Sequence, residues 1–178
     1  MSENKREFVP LNIAVLTVSD TRSLAEDRSG DILVTSLEQA GHVLAARDMV
    51  RDERLDIAAK LRELIADDGV DAIISTGGTG LTGRDVTVEA HGDVYEKHIP
   101  AFGTLFTIVS IEKIGTSAIQ SRACAGVAGG TYLFALPGSP GACKDAWDGI
   151  LEAQLDYRHM PCNFVEMMPR LEEHKRRK

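Results

Sequence analysis

Apolar runs alternate with helical patterns along most of this chain, and that alternation limits it to few folds. Leu11 to Val18 (LNIAVLTV) reads as a buried, β-branched strand with Asn12 its one strongly polar residue. From Ser29 onward Ile32, Leu33, Leu37 and Ala40 share one helical face, and Gly41 can cap its end. Val43 to Val50 is a weaker strand. A stripe at Ile57, Leu61, Leu64 and Ile65 then gives a second helix, stopped by Asp67-Asp68-Gly69. Val70 to Ser75 is the third strand, and helical material follows from about Val86 to Glu112, broken by Pro100. Arg122 to Val127 and Thr131 to Leu136 are strands joined by the hairpin-compatible Ala128-Gly129-Gly130. Ser139 and Pro140 suit the N-cap and first position of a last helix carrying Trp147, Ile150, Leu151 and Leu155. The expected fold is α/β, a three-layer α/β/α arrangement around a mostly parallel sheet with one antiparallel strand. The expected organisation is a flexible N-terminus over 1–10, a single domain over 11–165, and a tail over 166–178.

The third strand runs straight into Thr76-Gly77-Gly78-Thr79-Gly80-Leu81-Thr82-Gly83, four glycines and three hydroxyl residues in eight positions, closed by Arg84-Asp85. Side chains this small let a ligand approach the backbone, so successive N–H groups can converge on an anion. A helix starting after Gly83 would add its positive end. The Asp85 carboxylate repels a bare anion but suits a divalent cation placed between it and a phosphate. The glycine spacing Gly78-x-Gly80-x-x-Gly83 matches the dinucleotide fingerprint, yet no strand with a terminal acid follows as that scheme needs, and a nicotinamide enzyme would rest on this spacing alone. Walker A fails for want of Gly-Lys-Ser/Thr. Locally, Asp85 and Asp52 can each also serve as a plain helix N-cap. Arg84 can simply pair with a surface carboxylate.

Ligands of open α/β sheets bind at the carboxyl ends of the strands. Four polar clusters fall there: Ser19-Asp20, Asp52, the glycine loop, and Pro137-Gly138-Ser139-Pro140. Their convergence argues for a substrate site more strongly than any one of them.

The 178 residues suffice for one well-buried domain. A net charge of −7, with only Lys175 to Lys178 as a basic run, argues against nucleic acid or an anionic membrane as partner, and that run reads as a frayed end. No apolar run approaches the roughly 20 residues needed to span a bilayer, and Met1 to Phe8 lacks a signal-peptide core. Three widely spaced cysteines suggest neither disulfides nor zinc, so a cytosolic protein with reduced thiols is expected. Five histidines, His91 and His98 among them, show no ligand spacing and read as surface or loop residues.

Thr76-Gly77-Gly78-Thr79-Gly80 with Arg84-Asp85-Val86-Thr87 resembles the signature of the MoaB/MogA family of molybdenum-cofactor biosynthesis proteins. Ile114-Gly115-Thr116-Ser117, Gln120-Ser121-Arg122, Leu136-Pro137-Gly138-Ser139 and Pro161-Cys162-Asn163-Phe164 resemble its MoaB branch, and the similarity runs from about Leu11 to Val165. The resemblance implies trimers or hexamers, molybdopterin and ATP as ligands, and contact with other molybdenum-cofactor enzymes. Active members use Mg²⁺ and ATP to transfer AMP to the terminal phosphate of molybdopterin, releasing pyrophosphate. It places the two important acids, which would hold Mg²⁺, at Asp52 and Asp85, and the glycine loop at Gly77, Gly78, Thr79 and Gly80. It assigns pterin binding to Ser121 and a nucleotide site to Pro137, Gly138 and Ser139, with Asp27, Ser29-Gly30 and Ser19 nearby. Val88 departs from the proline usual there, and Gly83 makes the loop tip looser than a proline would. Phosphoryl chemistry needs alignment and charge neutralisation rather than a protein nucleophile, so the lack of a catalytic His or Cys is expected. A non-catalytic pterin-binding or assembly protein of the same pathway is the alternative.

Overall fold

The computed structural model describes residues 6–176. Strand β1 (Asn12–Val18) is buried from Ile13 onward, as a near-continuous apolar run requires of a strand covered on both faces. With β2 (Val43–Val50), β3 (Ala72–Thr76), β4 (Lys97–His98), β5 (Cys124–Ala128) and β6 (Thr131–Leu136) it forms one six-stranded sheet in the order β2-β1-β3-β6-β5-β4. The β2-β1, β1-β3 and β3-β6 pairs are parallel, whereas β5 runs antiparallel to both β6 and β4. The expected mixed sheet with one reversed strand is therefore present. Its hairpin turns through Gly129 and Gly130 at φ of 58° and 85°, a left-handed pair that a two-residue turn between twisted strands demands.

Successive strand residues leave for opposite faces, and the two faces carry different helices. Ile13, Val15, Ile74 and Phe134 point toward α1 (Arg28–Gln39), α4 (Pro100–Ile114) and α5 (Pro140–Ala146). Ala14, Leu16, Ile73 and Leu133 point toward α2 (Arg54–Ile65) and α3 (Thr87–Gly92). The α5 run continues through a π-helical turn, Trp147–Leu151, into α6 (Glu152–Gln154), which buries Trp147, Ile150, Leu151 and Leu155 as the stripe required. Short helices α7 (Phe164–Met167) and α8 (Glu173–Arg176) end the described chain.

Several expectations need correcting. The helical stretch from Val86 to Glu112 is two helices separated by β4. Two residues are too few to show a strand period, and what makes them a strand is pairing of Lys97 with Val127 and His98 with Gly126. The N-terminal stretch is laid down from Arg6: its guanidinium donates to Glu166 and the Tyr157 carbonyl, and Phe8 packs 5.1 Å from the His42 ring. Residues 1–5 lie outside the described ones, as do residues 177–178 of the basic run. Within the tail, Leu171 packs against the main core, and Val165 just before it belongs to that core. Two histidines are interior rather than surface residues. His42 accepts the Leu11 N–H. His91 is fully buried, its ring nitrogens 2.9 Å from Tyr95 Oη and from Ser75 Oγ. His98 stays exposed, edge-on to Tyr95. Cys124, Cys143 and Cys162 are free thiols, and no described helix is long and apolar enough to cross a membrane.

Two stability measurements follow. Ile74 is wholly buried under the larger core, so Ile74→Ala should cost about 2–5 kcal/mol in urea unfolding. Burial pushes His91 down to about 3, against about 6.5 for a free imidazole. Between those values the unfolded chain binds a proton that the folded chain refuses, so this contribution is intact above pH 6.5 and shrinks as pH falls toward 3. His91→Gln should therefore flatten the pH dependence of unfolding between pH 6 and 4 by roughly 1 kcal/mol per pH unit relative to the parent.

Candidate functional site

In the order β2-β1-β3 the chain leaves β1 for one side of the sheet and returns to β3 on the other. Such a switch point opens a crevice beyond the carboxyl ends of β1 and β3. A cavity of about 290 Å³ lies there, bounded by Ser19 and Asp20 after β1, Asp52 after β2, and Gly77, Gly78, Arg84 and Asp85 after β3. Gly138, after β6, completes the wall. The four polar clusters expected to meet do meet.

Backbone contact makes this possible. Gly77 has φ of 105°, and a Cβ there would stand 2.2 Å from the Val18 carbonyl oxygen. Gly78 has φ of 62°, and its Cβ would fall 2.6 Å from Asp52 Oδ1. Both positions thus exclude any side chain on conformation and on space. The loop does not offer all its amides, however. The Gly77 N–H donates to the Leu136 carbonyl at 3.0 Å, extending the β3-β6 ladder. The expectation that Gly77 itself would supply an anion donor is corrected accordingly. Thr87 closes the loop's base, its N–H on the Gly78 carbonyl at 2.9 Å and its hydroxyl on the Gly77 carbonyl at 2.7 Å.

The two aspartates are not helix caps. The N-cap of α2 is Glu53 and that of α3 is Val86, neither with a side-chain cap bond. Asp85 turns back into its own loop, where its Oδ2 accepts from the Thr82 hydroxyl at 2.6 Å and the Thr82 N–H at 2.8 Å. The Thr82 hydroxyl chiefly, with backbone donors and Arg122, holds this carboxyl below its ordinary range. Asp52 lies under the opposite influence. Burial first, and then the like charge of Asp20, push it upward, with Asp85 adding to the repulsion. Its N–H donates to Asp20 Oδ1 at 3.2 Å, and a backbone hydrogen bond from Asp20 together with the positive charge of Arg84 offsets only part of the upward push. Two arginines, Arg22 and Arg84, border the cavity, and Arg84 is forked onto Asp20 at 2.9 and 3.0 Å and onto Glu53 at 2.8 Å.

This donor set fits a hard divalent cation. Two carboxylates on facing loops could supply oxygen ligands, and the half-buried Asp52, pushed upward by burial and by Asp20, is stabilised by any positive charge brought beside it. No group of three or more His, Cys, Asp or Glu side chains among the described residues is arranged to hold a metal alone. Such a partial set suits Mg²⁺, which keeps waters and takes phosphate oxygens beside one or two carboxylates.

Other expected residues take less direct places. Asp27 is fully buried beneath the cavity, accepting from Thr17 Oγ1 at 2.7 Å, the Gly30 N–H at 2.9 Å and Arg47 at 3.3 Å. It caps α1 and is sealed from solvent; in the first turn of that helix Ser29, itself buried, bonds the Gly138 carbonyl and borders the cavity. Thr79 is buried, and Gly80 hugs Asp85, whose Oδ2 would be 2.8 Å from a Cβ there. Ser121 borders a second hollow of about 150 Å³ together with Pro137 and Ser139, so the Pro137–Ser139 turn separates two compartments. Ser139 spends its hydroxyl on the Ala142 N–H as the cap of α5. Asp20 and Arg122 are the residues that motif reading undervalued. Asp20 was visible as a charge at a strand end, whereas the long-range contacts of Arg122 leave no local trace.

Residues 14–157 match the family model described as "Probable molybdopterin binding domain". The chain is 45% identical over 164 residues to "Molybdenum cofactor biosynthesis protein B" of Escherichia coli K12, covering 92% of this chain and 96% of that one. It is 40% identical over 157 residues to the protein of the same name from Bacillus subtilis, covering 87% and 92%. Among solved structures, a molybdenum cofactor biosynthesis protein B superposes with a TM-score of 0.82 at 35% identity, covering 84% of this chain and 94% of the other. A tungsten cofactor synthesizing protein MoaB from Pyrococcus furiosus gives 0.71 at 32%, covering 78% and 89%. With its signature residues gathered at one sheet edge and this breadth of similarity, the chain belongs to the MoaB/MogA family of molybdenum-cofactor biosynthesis proteins.

Proposed function

We propose that this protein acts in molybdenum-cofactor biosynthesis as a molybdopterin adenylyltransferase. The supporting observation is the pair Asp52 and Asp85, carried by loops after different strands yet bordering one cavity, with Asp52 pushed upward by burial and by the like charge of Asp20. A terminal phosphate oxygen of molybdopterin attacks the α-phosphorus of ATP. The new phosphorus–oxygen bond forms as the bond to the bridging oxygen breaks, and pyrophosphate leaves with that electron pair. Asp52 and Asp85 would hold Mg²⁺, which when bound screens the phosphates and the departing charge. The triphosphate lies against the glycine loop, where small residues let the backbone come close. Ser121 orients the pterin side from the neighbouring hollow, and the Pro137–Ser139 turn sets the distance between the two ligands. Since the reacting groups come from the substrates, the protein's task is to align them and exclude water.

A second reading, a pterin-binding protein without turnover, draws on Arg84: its guanidinium is committed to Asp20 and Glu53 rather than held ready for phosphate. Incubation with molybdopterin, ATP and Mg²⁺ separates the two. Adenylylated pterin and an equivalent of pyrophosphate are expected, EDTA should abolish both, and Asp85→Asn should lower kcat by roughly 100-fold or more, about 2.7 kcal/mol of barrier. Absence of product from folded protein, or a fully active Asp85→Asn, would sink the enzyme reading. Pterin binding with ATP unconsumed would favour the alternative.

Self-association is part of the proposal. Leu105, Ile108 and Ile111 recur every third residue along α4 and are 48, 53 and 52% exposed, an apolar stripe that a second copy can cover. A sizing experiment should give a multiple of 19.3 kDa, and Ile108→Lys should shift the protein toward the single-chain mass.

A further inference from the structure

Little packing holds the segment between Thr79 and Thr87. Residues 81–84 are exposed, Leu81 to 68%, and a side chain at Gly83 would meet nothing within 4 Å. Beside the exposed fork of Arg84 onto Asp20 and Glu53, one side chain from outside bridges both ends of the segment's backbone. Arg122 Nε donates to the Gly80 carbonyl at 2.8 Å and to the Thr79 carbonyl at 3.2 Å, and Nη2 donates to the Asp85 carbonyl at 3.0 Å. The remaining face of the guanidinium is taken by Glu89 of α3, through Nη1 and through Nη2 at 3.3 Å. Glu89 is in turn held low by that contact, so the pair stays charged in neutral solution.

We propose that Arg122, oriented by Glu89, is the positioning residue that holds the Asp85 loop in its ligand-ready shape and ties it to the Ser121 compartment. This rests on the metal-and-nucleotide reading of the cavity given above. The geometry explains why arginine is needed. Three carbonyls at the two ends of the loop must be satisfied by one rigid donor plane, and a lysine ammonium on a flexible stem cannot span them. Carbonyls turned toward Arg122 also leave the Asp85 side chain on the cavity side, where Thr82 fixes its Oδ2. Arg122 follows directly on Ser121, which borders the neighbouring hollow. A shift of one compartment's wall is therefore transmitted to the other through a single residue. α3 is an independent anchor, since His91 bonds Ser75 and Thr87 bonds the Gly77 carbonyl. The loop would thus loosen without unfolding the sheet beneath it.

The test compares parent, Arg122→Lys and Glu89→Gln in two measurements. In hydrogen exchange, both variants should lose protection at the N–H groups of Thr82, Asp85 and Thr87, by tenfold or more for Arg122→Lys, with β3 and β6 unchanged. In turnover with Mg²⁺-ATP and molybdopterin, both should need a higher Mg²⁺ concentration for half-maximal rate. Arg122→Lys should lower kcat by about 100-fold while the KM for molybdopterin moves little. A purely structural role would instead lower Tm and raise exchange throughout, with the Mg²⁺ dependence unmoved, and would overturn the proposal. So would unchanged exchange over residues 79–87 in both variants. If the parent makes no product, the adenylyltransferase reading fails, and the exchange result alone decides the role of Arg122. Should Arg122→Lys not fold, Glu89→Gln carries the same comparisons.

Discussion

The backbone of Gly77 passes so close to the end of β1 that a methyl group there would overlap the Val18 carbonyl oxygen, at 2.2 Å. Everything at the cavity depends on this approach. It lets β3 turn away at once instead of extending past the sheet, and it sets Gly78 beside Asp52. It also brings the Gly138 turn against Gly77, where a Cβ on Gly138 would sit 3.0 Å from Gly77 Cα. Three strand ends are thereby stacked within backbone contact, and their side chains must splay outward around the space left over. The wall is rigid because it is made of main chain and of hydrogen bonds that continue the sheet ladder.

Charge is distributed around this wall unevenly. Asp20 has Arg84, and Asp85 has the Thr82 donors, but at Asp52 burial and acidic neighbours outweigh what the Asp20 backbone and Arg84 offer. Leaving one carboxylate half-buried and only partly compensated costs stability in the free protein and is tolerated where a ligand repays it. The same logic separates Asp27 from Asp52. Both follow or precede helices near the cavity, but Asp27 is fully satisfied by Thr17, Gly30 and Arg47, so it braces the structure and is closed to a ligand.

Most of the architecture was legible in the sequence because strands buried on both faces and helices buried on one leave strong periods. Val43–Val50, an edge strand of mixed polarity, was readable only by its place between two helices, yet its limits agree. The two-residue β4 was not legible, since its existence depends on register with β5 and not on its own side chains. At the site, local motifs located the loop, its glycines and both aspartates. They could not tell that the Gly77 amide serves the sheet, that Asp27 is sealed in, or that Arg122 spans 37–43 positions of chain to reach the loop. Those are facts of who meets whom after folding. His91 leaves no trace in the sequence for a related reason: its partners Ser75 and Tyr95 look like ordinary polar residues until the fold buries His91 with Ser75 and brings the half-buried Tyr95 against them.

The single tryptophan of the chain, Trp147, lies in the π-helical turn, packed into the larger core edge-on to His42 at 6.2 Å between ring centroids. It starts that turn at the far end of α5 from Ser139, and it borders neither compartment of the site. Intrinsic fluorescence of this protein is thus an optical record of one helical layer. It follows the integrity of the α1-α4-α5 side and is blind to events at the glycine loop, so occupancy of the cavity has to be watched through the ligand's own absorbance.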